Sequence, residues 1–208
     1  MRLRIVTFAA VSLMLTAGYS GQRSPEVTAT QTLPLAAPQP LPHIQTPSPT
    51  TNTKNRVYLA EKRVSFVPPA NFTAMTPEEI TLKFPSNGNQ PQYVYANQRR
   101  SVSVAITFSP ARISPQQLPE LKNFLPKFLE RVRPGIKWIT QDFTMINNLR
   151  WIQLEFINRA IDTDIHNDAY FTSFDGKMLG FNFNSTVEQY DALSAELRQS
   201  RDSITISQ

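Results

Sequence analysis

The residues best equipped for chemistry in this 208-residue chain lie in one short run, Asp162-Thr-Asp164-Ile-His166-Asn-Asp168. Side chains alternate across an extended backbone, so this run projects Asp162, Asp164, His166 and Asp168 to one side. Three carboxylates and an imidazole make an oxygen-rich donor set that suits a divalent cation such as calcium, manganese or zinc. The spacing lacks the order and the distal glutamate of an EF-hand. A polar loop between two strands accounts for the same residues without a cation. Glu155 and Asp142 supply two more carboxylates on adjoining strands, where a solvated sheet face explains them equally well.

Other chemistries are poorly served. The chain has no cysteine, which excludes thiolate nucleophiles, thiolate metal sites and disulfides. Its two histidines are His43 and His166, and only the second falls in the folded part of the sequence. Six glycines leave little material for phosphate-cradling loops, and no Gly-x-Ser-x-Gly elbow occurs. The formal charge of +5 owes much to Arg2, Arg4, Arg23 and Lys54, set against Glu26 alone in the same stretch. The remaining charges are interspersed, without the clustered basic stripe of a nucleic-acid binder. The expectation is therefore a protein that is not an enzyme and does not bind nucleic acid.

A binding surface is the other candidate. Lys127, Arg131 and Arg133 gather toward the C-terminal end of a helical pattern, where cations also complement the helix dipole on a solvated face. Trp138 and Trp151 fall on the less apolar side of the hairpin that follows. There they either pack under a helix or join the basic group in contacting a protein partner.

The elements that position these residues read as follows. Arg63–Val67 is a short strand stopped by Pro68-Pro69. Thr76-Pro-Glu-Glu79 is a capping box that opens a helix ending near Phe84. Gln92–Ala96 and Ser101–Phe108 alternate about a four-residue loop, with Val102, Val104, Ile106 and Phe108 inward. Ser114-Pro-Gln-Gln117 caps a helix whose stripe is Leu118, Leu121, Leu125, Phe128 and Val132, and Pro126 should kink or split it. Lys137–Arg159 folds about Asn147-Asn148, a good type I′ pair, with Phe143 facing Ile152 and Ile139 facing Phe156. Asp175-Gly176 turns a further hairpin that sets Phe174 opposite Lys177, Tyr170 opposite Phe181 and Asp168 opposite Phe183. Ser185-Thr-Val-Glu188 reads as a second capping box, with Ser185 as N-cap of a last helix that presents Val187, Tyr190, Leu193 or Ser194, and Leu197 to the sheet. Ser203–Ile206 closes as an edge strand. The fold class is α+β, an antiparallel β-sheet flanked by helices on both faces.

The front of the chain is an address. Met1-Arg-Leu-Arg4 precedes an uncharged apolar run from Ile5 to about Ala17, the layout of a signal peptide or N-terminal anchor over residues 1–20. Residues 21–55 are rich in Pro, Thr and Gln and cannot bury enough surface to offset their ordering entropy, so they read as a disordered linker. Residues 56–208 are of single-domain length.

Several segments carry a resemblance: "VSFVPPANF" from Val64, "EEITLKFP" from Glu78, "VSVAI" from Val102 before a capped helix, "YFTSFDGKMLGFNFNSTVEQYDAL" from Tyr170, and "SITI" from Ser203. Together they resemble the PsbP-like superfamily across Val64 to Ile206. That family includes extrinsic photosystem II subunits, a eukaryotic Ran-binding protein and exported bacterial lipoproteins. The resemblance implies an α/β/α sandwich with a binding or assembly role at a membrane complex, and a protein partner. Leu15-Thr-Ala-Gly18-Tyr19 resembles a lipobox, but Tyr19 stands where the lipidated cysteine would be. The expected location is the periplasm or thylakoid lumen, soluble or tethered by an uncleaved anchor with peripheral membrane association. The alternative is a metal- or small-ligand-binding exported protein that uses the Asp162–Asp168 run.

Overall fold

The computed structural model describes residues 55–84, 90–160 and 163–207. Residues 1–54 of the leader and linker expected over 1–55, part of the loop after Phe84, and Asp162 lie outside the described residues.

Among the described residues, ten strands and three α-helices follow in the order β1 (Val57–Leu59), β2 (Val64–Phe66), β3 (Thr73–Ala74), α1 (Pro77–Lys83), β4 (Tyr93–Ala96), β5 (Val102–Arg112), α2 (Leu118–Val132), β6 (Lys137–Ile146), β7 (Leu149–Arg159), β8 (Asp164–Phe174), β9 (Lys177–Thr186), α3 (Val187–Asp202) and β10 (Thr205–Ile206). The main sheet is antiparallel and seven-stranded, ordered β3-β4-β5-β9-β8-β7-β6. A smaller three-stranded sheet, β1-β2-β10, stands apart from it. The closing strand thus pairs with β2 in the small sheet, Thr205 against Ser65, and not with the main one.

Two turns set the register of the main sheet. Asn147 and Asn148 sit at φ 46° and 64°, and Asp175 and Gly176 at 51° and 67°. Positive φ at both central residues gives the twist that joins two right-twisted strands without splaying them. From the second turn, Phe174 pairs with Lys177, Tyr170 with Phe181 and Asp168 with Phe183, as the alternation predicts. Gly180 pairs with Phe171, and a Cβ there would lie 3.1 Å from the Phe171 ring, so the glycine lets that ring cross the strand.

Both faces of the sheet are covered. On one, Val102, Val104, Ile106, Trp151, Tyr170, Leu179, Phe181 and Phe183 form a core with Phe66 of the small sheet and Leu197 of α3. The Phe66 ring meets Tyr95 and Phe181 edge-on at 5.3 and 5.5 Å. On the other face, α2 lays Leu118, Leu121, Leu125 and Leu129 on Ile152, Leu154, Phe156 and Phe171. Ile80 of α1 and Phe84 just after it cover Val94, Ala96 and Ala105 on that face. Buried amides also lie on this side: Asn167 donates to Asn158, Asn182 donates to Asn167, and Ser103 and Asn184 share a hydrogen bond. Asn184 is thereby in the interior.

Several local expectations change. Pro126 stays inside α2 without splitting it, and its ring is buried in the core. Leu129 takes the last inward position, and Val132 is exposed. Ser185 is not an N-cap. It remains in β9, paired with His166 and Val102, and α3 starts after Thr186 with no side-chain cap. The ladder of two neighbouring strands outweighs a local capping signal. Thr76 does form its box, accepting from Glu79 N while Glu79 accepts from Thr76 N. Finally, β6 slips by one residue between Trp138 and Thr140, so Trp138 and not Ile139 faces Phe156.

Candidate functional site

Strand β8 places Asp164, His166 and Asp168 on one side, as alternation requires, but they do not converge. The Asp164 carboxylate turns to Arg159, 3.2 Å away across the strand pair. His166 Nε2 meets Glu155 Oε1 at 3.1 Å, while Tyr190 of α3 stacks on the imidazole with ring centres 3.5 Å apart. Asp168 accepts from the Tyr170 hydroxyl at 2.6 Å and from Gln153 at 2.9 Å. Among the described residues no three His, Asp or Glu side chains gather as a metal would need. The described members of the expected donor set are thus each held by partners of their own.

What these residues form is the polar underside of α3. That helix fully buries only Leu197 and Ser200, so its apolar contribution is small for sixteen residues. Polar contacts supply the rest. Tyr190 donates to Glu155, which also accepts from Thr140. Arg201 donates to the Tyr170 hydroxyl at 3.1 Å. Ser200 donates to the carbonyl of Val67, and Val67 N donates to Ser203, tying the helix end to the small sheet.

Electrostatics follow the geometry. The hydrogen bond from His166 holds the Glu155 carboxyl below its ordinary range, against the opposing pull of burial. Burial pushes Asp168 up, only partly offset by the bonds from Tyr170 and Gln153. Burial and the neighbouring Glu155 charge push Tyr190 up to about 12. The imidazole has 5% of its side chain exposed, and its Nδ1 is buried without a hydrogen-bond partner. His166 is thus enclosed beneath Tyr190, and Glu155 and Asp168 direct their carboxylates to partners within the fold. The two carboxylates singled out as neighbours, Glu155 and Asp142, oppose Thr140 and Gln153 and not each other.

The partner-facing candidates also separate. Trp151 is fully buried on the α3 side, edge-on to Phe181 at 6.1 Å, and has no surface to offer a partner. Trp138, carried to the α2 side by the slip in β6, packs on Phe156 at 5.2 Å and donates its indole N–H to Glu130. Lys127, Arg131 and Arg133 are exposed at the C-terminal half of α2. Among the described residues, the side chains of these three make no hydrogen bond or ion pair.

Beside this cationic helix end lies a feature that no local pattern signals. Strand β6, ten residues long, is the outermost strand of the main sheet. Its Ile139 and Met145 are 53% and 62% exposed. Elsewhere, a shallow apolar depression of about 290 Å³ opens beside the irregularity in β5, between Phe108, Pro110, Phe174 and Met178. Asp175 at its rim is paired with Arg63 at 2.6 Å.

No protein-family model and no curated protein sequence matches the chain. Solved structures do match. The solution structure of cyanobacterial PsbP (CyanoP) from Synechocystis aligns with a TM-score of 0.55 at 14% identity, over 73% of this chain and 91% of that one. LpqN of Mycobacterium tuberculosis, described as involved in cell envelope biogenesis, aligns at 0.45 and 11% identity, over 74% and 90%. A Pseudomonas aeruginosa protein of unknown function, PA94, aligns at 0.42 and 12%, over 66% and 99%. The first likeness establishes a PsbP-like α+β fold, as the sequence resemblance implies.

Proposed function

We propose that the chain is an exported, non-enzymatic binding or assembly domain that acts as an extrinsic accessory protein at a membrane complex. The observation that carries this reading is the contrast between the two sides of the polar chemistry. The carboxylates and the imidazole of β7 and β8 are spent inside the fold. Lys127, Arg131 and Arg133 stand unpaired in solvent next to an uncovered sheet edge. Unpaired exposed cations keep their full charge for a partner and steer its approach. The basic N-terminus followed by an apolar run, and the proline-rich stretch behind it, fit export and a spacer between membrane and domain. Among the described residues no helix is long and apolar enough to cross a membrane.

The test is capture of a membrane complex from the source cell by crosslinking to the full chain. A variant carrying Lys127→Glu, Arg131→Glu and Arg133→Glu serves as the paired control. The expected result is one complex recovered by the native chain, released by salt and lost in the variant. Recovery indifferent to the three substitutions would sink the assignment of this surface.

A further inference from the structure

Strand β6 is unusual among the edges of this fold. The opposite edge of the main sheet is β3, two residues long, and the small sheet ends in strands of three and two residues. Edges that short leave few backbone groups unpaired, whereas β6 leaves a row of them.

Which groups point outward follows from one hydrogen bond. The backbone N–H of Phe143 donates at 2.8 Å to the side chain of Asp142, and so is turned away from β7. In an antiparallel strand the N–H and C=O of one residue point the same way and alternate along the chain. Gln141, Phe143 and Met145 therefore present both backbone groups to the open edge. The Asp142 carboxylate folds over that edge and is held there by Lys122 at 3.6 Å.

The rim of the edge is cationic. The Arg150 guanidinium lies 3.6 Å from the centre of the Phe143 ring and the Lys122 ammonium 5.4 Å from it. Arg133 and Lys137, both exposed, stand at the start of the strand. Against them the edge sets Asp142, already engaged, and Glu130, which accepts from Trp138.

We propose that β6 takes an additional strand, an extended acidic segment of a partner protein, by main-chain hydrogen bonding to Gln141, Phe143 and Met145. This rests on the binding-domain reading above and names how the partner is held. Main-chain bonds along an edge give affinity, and alternate side chains give selectivity. Acidic side chains of the incoming strand that fall on the α2 side meet Lys122 and Arg150. Ile139 and Met145 lose their exposure to water under it. The Asp142 carboxylate is displaced from the Phe143 N–H, which a backbone carbonyl then accepts.

The experiment uses the full chain, isotope-labelled. The probe is a synthetic peptide alternating glutamate with valine and threonine, and its lysine counterpart is the control. Amide exchange at Gln141, Phe143 and Met145 should slow with the glutamate peptide and stay unchanged with the lysine one. Gln141→Pro removes one outward N–H without touching the β7 ladder or any charge, and should weaken binding by about tenfold. Met145→Pro makes the same change at a second position, should the first variant fold poorly. Asp142→Asn should tighten binding.

Peptide that binds without protecting these amides, and ignores both proline variants, overturns strand addition but leaves a charged binding surface standing. An acidic peptide that does not bind, with charge-dependent membrane capture intact, has the same effect. Failure of both experiments overturns the strand and the binding-domain reading together. A homodimer abolished by Gln141→Pro gives the edge to a second copy of this chain and overturns the acidic partner.

Discussion

At the scale of single residues, the buried acids make opposed statements about stability. Glu155 is held below its ordinary pKa, chiefly by the bond from His166. Its stabilisation is present above the unfolded carboxyl pKa and is lost as pH falls through the folded value. Asp168 is raised, chiefly by burial, so protonating it as pH falls favours the fold. Glu155→Gln should therefore flatten the loss of stability on acidification and Asp168→Asn should steepen it, measured as urea midpoints across the acid range. Lys83 carries the alkaline counterpart. Burial, with Arg100 adding to it, lowers its ammonium to about 8. Between that value and the ordinary lysine pKa the unfolded chain binds more protons, so stability rises with pH by up to about 3 kcal/mol. Lys83→Met should abolish that rise, and a wild-type curve flat above pH 8 would refute the assignment.

At the scale of elements, α3 is held on by hydroxyls as much as by leucines. Tyr170 sits in the core, donates to Asp168 and accepts from Arg201 of the helix. Tyr170→Phe keeps the ring but leaves a buried carboxylate short of a donor, at a cost of about 2–3 kcal/mol. Hydrogen exchange should show α3 opening at lower free energy in that variant, with the β8–β9 ladder following only at global unfolding. The β8–β9 register was legible in sequence because a two-residue turn fixes pairing locally and every apolar residue then agrees with it. Asn147-Asn148 likewise sets Phe143 opposite Ile152, but its register holds only as far as Thr140. Ser185 misled because the box of Ser185 and Glu188 is read from four residues, whereas the fate of Ser185 is set by His166 and Val102 from distant strands. Trp138 misled for a similar reason: one extra residue at Ile139 inverts the faces upstream of it, and no turn marks the slip. The shared side of Asp164, His166 and Asp168 was legible, but their separate partners on β7, β8 and α3 were not. The edge position of β6 was invisible, since strand order belongs to the sheet and not to any segment.

At the scale of the whole molecule, the described core is self-contained. Its three apolar clusters draw on residues between Val57 and Ile206, and both faces of the main sheet are covered from within that span. The first contributor is β1, pinned to β2 by the pairing of Val57 with Phe66. Just ahead of it, Arg56 donates to Ser65 and to the carbonyl of Ser203, closing the small sheet on the end of α3. Residues 1–54 bring few large apolar side chains beyond the opening run. A chain starting at Asn55 should therefore unfold in one transition, within about 0.5 kcal/mol of the full-length protein. Starting at Val57 instead removes Arg56 and two of the bonds that join the small sheet to α3, and should cost about 1–2 kcal/mol. Denaturant unfolding of the three chains side by side separates these outcomes. A loss at the first truncation would mean that the leader is part of the fold, and its reading as a spacer would fall.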